Sequence, residues 1–324
     1  MEQLLQGLRA AAESSRLRIL ALCSRGELTV SDLTKILGQS QPRVSRHLKL
    51  LVEAGLLQRF REGAWAFYRL ADKGPDGALA RILVDQVPFD DSVVSRDCER
   101  LEAVRAERAT RAAAFFRENA ADWQEIRRLY INDQEVERAL LELLPKSEID
   151  ALLDIGTGTG RILEVFGDSI RRGVGVDLSR EMLSVARVNL ERRGLTNCQV
   201  RLGDMDQLPL SDERFGAVTF HLALHYADDP SRAIAEAARY LAPGGRMVVV
   251  DFAPHQEYSL QRERAHRWLG FDDAEIDTWF RSAGLVSGRT IRLPGSPLTI
   301  NLWSAAQPGP PAAKSADALQ TVSA

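Results

Sequence analysis

Three acidic positions, three glycines and two histidines are spaced for work on one ligand. The run "IDALLDIGTGTGRILEVF", residues 149–166, reads as an apolar strand, a glycine-rich turn and a helix. Gly156, Gly158 and Gly160 permit a tight turn and let a ligand approach the backbone closely. Asp154 stands just before the turn, where a carboxylate can take the amino group of a methionine-like moiety but would repel a pyrophosphate. The turn also departs from the dinucleotide fingerprint Gly-x-Gly-x-x-Gly, whose third glycine place is held here by Arg161. Asp177 ends a second strand, "GVGVDLS", 23 residues after Asp154, a position suited to ribose hydroxyls. Asp204 and Met205 end a third strand in "VRLGDMDQLPL" and can bracket an adenine amino group and ring. His221 and His225 follow a fourth strand in "RFGAVTFHLALHY" and face the expected substrate mouth. There an imidazole serves either as a general base or as a hydrogen bond to the pocket wall. The His-x-x-x-His spacing lacks a third ligand, so no metal is expected. His255 and His266 fall in an expected lid after the fifth strand, without an assigned role.

A second constellation lies near the N-terminus. On a helix over residues 41–54, Val44, Leu48 and Leu51 share one face, while Pro42, Arg46 and Lys49 point away and Arg43 and Ser45 flank them. Ser40 is placed to cap this helix, and Pro42 sits in its first turn, where a missing N–H costs little. A helix that packs by one side and offers Arg, Ser and Lys on the other suits a major groove. Ser40, Gln41, Arg43, Ser45, Arg46 and Lys49 form the expected DNA-facing set. The preceding "TVSDLTKIL" and the turn "GQS" complete a helix-turn-helix. "LLQRFREGAWAFYRL" reads as two strands around Glu62-Gly63, a wing that brings Arg59 and Arg61 to the DNA backbone or minor groove.

The elements that must position these residues divide the chain into a winged helix-turn-helix domain over 1–71, mainly α with a β-hairpin, and an α/β domain over 149–306. Connecting and dimerisation helices over 72–148 and a disordered tail over 307–324 complete the expectation. Residues 93–144 lack Gly and Pro and fit one or two long helices, with Val94, Leu101 and Val104 as an apolar stripe. The formal charge of −3 hides an asymmetry: residues 1–70 hold 11 Lys/Arg and 6 Asp/Glu, leaving the rest acidic. Only the N-terminal part therefore suits a polyanion. Three scattered cysteines, no secretory pattern in "MEQLLQGLRA" and no long apolar run lead to the expectation of a cytoplasmic protein without a membrane partner.

"ELTVSDLTKILGQSQPRVSRHLKLLVEAGLL" resembles the winged-helix domain of the ArsR/SmtB family over about residues 8–70. The resemblance implies a homodimer built on the first helix and a helix after the wing, near residues 77–87. It would read two half-sites of a double-stranded operator about 34–36 Å apart. Metal-sensing members often carry Cys-x-Cys before the turn, or Asp and His ligands on the dimer helix. Here "ELTVSDL" has no cysteine and residues 77–87 have Asp85 but no histidine, so a metalloid inducer is the least favoured reading.

The ordered set of motifs from Asp154 to "LAPGGRMVVVDFAP", taken as a helix end, turn and fifth strand, looks like the class I S-adenosylmethionine-dependent methyltransferase fold. The likeness spans about residues 130–305. It implies a Rossmann-like seven-stranded sheet with an antiparallel last strand in "SPLTINLWSA". By position, Asp154, Gly156, Gly158 and Gly160 would line the methionine side. Asp177 and Leu178 would hold ribose and adenine, Asp204 and Met205 would flank the adenine, and His221 would lie near the methyl group. The cofactor implied is S-adenosyl-L-methionine, or S-adenosyl-L-homocysteine as an effector. "HLAL" replaces the Asn/Asp-Pro-Pro-aromatic motif of amino-methylating DNA enzymes. Arsenite methyltransferases need several cysteines, where this domain has Cys198 alone. Quinone-biosynthesis methyltransferases look closest, though they do not usually carry a DNA-binding domain. Two readings stand: a regulator that senses the nucleoside, and a small-molecule methyltransferase that controls its own operon.

Overall fold

The computed structural model describes residues 1–62, 65–71, 74–127, 133–263 and 266–309. The N-terminal unit comprises α1 (Glu2–Ala11), α2 (Ser14–Cys23), β1 (Leu28–Thr29), α3 (Val30–Leu37), α4 (Gln41–Glu53), β2 (Leu57–Glu62) and β3 (Trp65–Leu70). Its sheet order is β1-β3-β2, all antiparallel, the fold of a winged helix. Local chemistry sets the helix ends. Thr29 and Asp32 form a reciprocal capping box at the start of α3, and Gly38 closes it in the left-handed region. Ser40 occupies the cap position of α4, but its hydroxyl makes no cap bond, so only the position agrees with the sequence reading. The expected hairpin turn at Gly63 lies outside the described residues.

Strand alternation gives the wing two different faces. Phe60 pairs with Phe67 and Gln58 with Arg69 across the hairpin, so these four share one side. Arg59 and Arg61 occupy the other and are exposed.

α5 (Gly74–Asp85) packs on α1 and α2. α6 (Ser92–Arg127) lies against α2 and α3, with Leu101 and Val104 buried in the N-terminal core and Arg18 gripping Asp97 through two bonds of 2.5 and 2.7 Å. α7 (Asp133–Leu143) instead covers the large sheet, and Val136, Leu140 and Leu143 join its core. By packing, the C-terminal unit therefore begins before residue 149.

That unit continues through β4 (Ala151–Ile155), α8 (Arg161–Phe166), β5 (Arg172–Asp177), α9 (Arg180–Arg192), β6 (Cys198–Leu202), β7 (Phe215–His221), α10 (Pro230–Ala238), β8 (Leu241–Phe252), α11 (Tyr258–Glu263), α12 (Asp273–Ser282), β9 (Val286–Leu293) and β10 (Ile300–Ala306). The seven-stranded order is β6-β5-β4-β7-β8-β10-β9, with β10 antiparallel to both neighbours. β4 is wholly buried, as a central parallel strand covered on both faces must be. Leu152 enters the core on one face of the sheet; Leu153 and Ile155 enter the core on the other.

Two expectations need adjustment. "LAPGG" is not a helix end: α10 stops at Ala238, and Leu241 already pairs with Phe215. A bond from the Gly244 N–H to the carbonyl of Gln307, just after the neighbouring β10, holds that start of β8 in place (3.1 Å). Of the expected disordered tail, residues 310–324 lie outside the described residues.

The two units meet along the inward face of the wing. Arg187 of α9 stacks over Phe67, 4.0 Å from the ring centre, and Arg201 of β6 over Phe60 at 3.3 Å. Both guanidiniums bond to the buried Glu27 carboxylate, at 2.9 and 3.0 Å. Arg108 of α6 bridges Asp32 (2.6 Å) and Glu191 of α9 (3.1 Å).

Candidate functional site

A cavity of about 640 Å³ opens at the carboxyl ends of β4, β5 and β7, where open α/β sheets take their ligands. Its volume is in the range of small-molecule sites. The β4 turn forms its floor. Gly156 has φ +69°, and a Cβ there would meet the Ala223 methyl at 2.3 Å, so glycine is required twice over. Asp177, at the end of β5, accepts the Gly158 N–H and the Ser179 N–H, both at 2.8 Å. One carboxylate thus fixes the glycine turn and the start of α9. Burial holds its pKa above the ordinary carboxylate value despite those backbone bonds.

Gly156, Gly158, Asp177, Leu178, Asp204, Met205, His221 and His225 all line this cavity. Leu178 is 72% exposed at the mouth, an apolar surface suited to a base. Asp154 and Gly160 do not line it. Gly160 is the N-cap of α8 at φ +81°, where a Cβ would press on the Ala186 Cβ at 3.2 Å. Asp154 lies beneath the turn at 1% exposure, accepting the Thr219 hydroxyl at 2.7 Å. Burial pushes its pKa up to about 7. Its Oδ2 has no partner, an orphaned buried oxygen immediately behind the turn.

Imidazoles and aromatic rings line the β7 side of the cavity, through His221, His225, Tyr226, Phe252 and His266. Leu222 is a non-glycine residue at φ 52°, an uncommon backbone that ends β7 and turns the following residues along the cavity. His221 is half-buried, and desolvation holds its pKa below the ordinary value. His225 Nδ1 lies 2.7 Å from Asp251 Oδ1, and Asp251 also accepts the backbone N–H groups of Phe252 (2.8 Å) and His225 (3.2 Å). Nδ1 of His225 is thus turned to a carboxylate that can accept from it, and Nε2 is buried without a hydrogen-bond partner. His266 stacks on His225 at 4.0 Å and has its pKa pushed down to about 3 by burial. Sequence reasoning does not find Asp251 and His266 as partners of His225. The one signal for Asp251 is an acid inside the apolar run "MVVVDF".

On the N-terminal unit, Val44, Leu48 and Leu51 are fully buried. Ser40, Gln41, Arg43, Ser45, Arg46 and Lys49 are exposed along α4, with Lys49 3.7 Å from Glu53. Arg59 and Arg61 are exposed on β2. The structure therefore brings all eight expected DNA-facing residues to the surface.

Comparison with known proteins agrees with this architecture. Residues 13–59 match the family described as "Bacterial regulatory protein, arsR family", and residues 153–249 match "Methyltransferase domain". The chain is 35% identical over 104 residues to the uncharacterized methyltransferase YcgJ of Bacillus subtilis, covering 32% of this chain and 41% of that protein. It is 39% identical over 105 residues to the ubiquinone/menaquinone biosynthesis C-methyltransferase UbiE of Desulfotalea psychrophila, covering 32% and 42%. The chain spans about half the length of the curated relatives it matches. A solved S-adenosylmethionine-dependent methyltransferase from Clostridium acetobutylicum superposes with TM-score 0.50 at 14% identity, covering 60% of this chain and 99% of the other, a likeness of fold. The chain thus joins a helix-turn-helix region that matches the arsR-family model to a domain that matches the methyltransferase model and shares its fold.

Proposed function

We propose that this chain is a DNA-binding transcriptional regulator whose C-terminal domain binds S-adenosyl-L-methionine or S-adenosyl-L-homocysteine and passes its occupancy to the winged helix. The residues present fit the nucleoside. Asp177, Leu178, Asp204 and Met205 all line the cavity, where Asp177 would take ribose hydroxyls, Leu178 and Met205 would offer apolar surface to the base, and Asp204 would meet its amino group. The unpartnered Asp154 Oδ2 sits behind the turn on the methionine side. One observation carries the sensing role. α9 starts directly after Asp177-Leu178, and β6 runs into Asp204; these same two elements supply Arg187 and Arg201 to the wing. A ligand that shifts either loop therefore bears on the DNA-reading unit. It changes operator affinity only by its differential affinity for the DNA-competent state.

The operator partner is double-stranded DNA, read by α4 in the major groove and by Arg59 and Arg61 beside it. The active form is a homodimer, supported by exposed Leu4, Leu5 and Leu8 on α1 and Ile82 on α5. We place it in the cytoplasm; among the described residues no helix is long and apolar enough to cross a membrane. Cys198 is buried, with its thiol pushed up to about 12 by desolvation. The test is operator binding with and without each nucleoside, using a duplex selected by the protein from random sequence.

A second reading, methyl transfer to a small molecule, is favoured by the His225–Asp251 pair. When bound, S-adenosylmethionine supplies an electrophilic methyl group. His225 Nε2 would take the proton of an acceptor hydroxyl, and Asp251 would hold the ring and offset the imidazolium charge. Formation of S-adenosylhomocysteine on incubation with cell extract, abolished in His225→Gln, supports turnover. Ligand-dependent DNA binding without turnover leaves the sensor alone.

A further inference from the structure

The wing face that carries Phe60 and Phe67 also carries Arg69, which differs from Arg187 and Arg201 in having a buried guanidinium nitrogen, Nη1, without a hydrogen-bond partner. Arg69 is only 8% exposed. The carboxylate beside it, Glu27, is already engaged by Arg187 and Arg201. A guanidinium removed from water without a hydrogen-bonded counter-charge is costly, and buried charges are ordinarily paired.

Arg69 opens onto a cleft of about 360 Å³ between the two units, separate from the nucleoside cavity. Arg81 of α5 and Arg171, just before β5, also line it, while Leu70, Ala71 and Val84 give it an apolar side. Arg171 pairs with Asp150 at 2.7 Å, so it adds field more than a vacant donor. Asp85 is the other acid on the cleft wall besides Glu27. Walls from both units, basic side chains outnumbering acids and a deep guanidinium together describe a place for an anion.

We propose that this cleft is a second ligand site. It binds the oxyanion group, phosphate or carboxylate, of a small metabolite, with the planar Arg69 fork as its anchor. The volume sits at the low end of small-molecule sites, enough for an anionic group on a short carbon skeleton. Duplex DNA does not reach it, because Arg69 is buried between the units. A ligand here contacts Arg69 and Arg81 on one side and Arg171 on the other, so it ties the winged helix to the sheet.

The test is calorimetry on the full chain without DNA, in chloride buffers of matched ionic strength. The probes are inorganic phosphate, 3-phosphoglycerate and succinate, which separate free phosphate, a phosphorylated metabolite and a carboxylate. At least one binds saturably at millimolar concentration or below, with about one site per chain. Arg69→Gln weakens it about tenfold or more, and Arg69→Lys, which keeps charge but loses the fork, falls between. If Arg69→Gln does not fold, Arg81→Gln at an exposed position supplies the reading and weakens binding several-fold. Absence of saturable binding by all three probes, or unchanged affinity in the folded variants, overturns the proposal. S-adenosylhomocysteine is titrated into the same samples; its failure to bind removes the nucleoside reading and leaves this one standing.

Discussion

Asp154 and Asp177 show how two similar carboxylates differ by a single layer of atoms. Asp177 faces the cavity and holds two backbone N–H groups; Asp154 is sealed below and carries a pKa of about 7. Both are legible in the sequence as strand-end acids around a glycine turn, because strand, turn and helix are local. Which one reaches the ligand is not legible, since that depends on how the turn folds over β4. Replacing Asp177 by Ala removes charge-assisted bonds worth about 1.5–3 kcal/mol each. Binding of S-adenosylhomocysteine by calorimetry weakens at least tenfold, and the nucleoside effect on DNA disappears with it. Asp154 yields a pH prediction. Its folded pKa lies above the unfolded value, so between about pH 4 and 7 the folded chain holds a proton that the unfolded chain has released. Its contribution to stability therefore falls as pH rises through that window and levels off above it. Asp154→Asn removes this contribution. Melting temperatures of the unliganded proteins should diverge in favour of the variant from about pH 5 to 7; parallel curves contradict the assignment.

At the scale of elements, α4 and the wing separate the residues that pack from the exposed side chains proposed to read DNA. Val44, Leu48 and Leu51 are legible as the buried stripe of α4 because helical period alone decides them. The wing is legible as a hairpin, but not as two-faced: Arg59 and Arg61 remain available to DNA while Phe60 and Phe67 are committed to α9 and β6. That partner lies more than a hundred residues away, and nothing in "QRFREGAWAFYR" announces it. Lys49→Ala and Arg61→Ala should weaken binding to all duplexes similarly and lower the salt slope of operator affinity by about 0.9 for each phosphate no longer neutralised. Arg46→Ala should instead relax sequence preference, by about 1–3 kcal/mol at the base pair it reads. Fluorescence anisotropy over a salt series, with operator and scrambled duplexes, distinguishes these. An unchanged slope in Arg61→Ala would remove the wing from the DNA interface.

The whole molecule is organised around Glu27. This buried carboxylate on the winged helix holds Arg187 and Arg201, and its surroundings depress its pKa although burial alone would raise it. No sequence pattern points to it, because its partners lie 160 and 174 residues on and only the packed chain joins them. Glu27→Gln leaves two buried guanidiniums without their counter-charge. It should destabilise the protein by about 3–5 kcal/mol in denaturant unfolding and sever DNA affinity from nucleoside occupancy. A variant of wild-type stability would show that the network does not hold the units together. Coupling between the nucleoside cavity and the winged helix is the central claim. Its most direct measurement is the affinity of the full chain for its selected operator with and without saturating S-adenosylhomocysteine. The predicted change is about tenfold or more, equivalent to about 1.4 kcal/mol of coupling. Equal operator affinities in the empty protein and in protein shown by calorimetry to be saturated would contradict it.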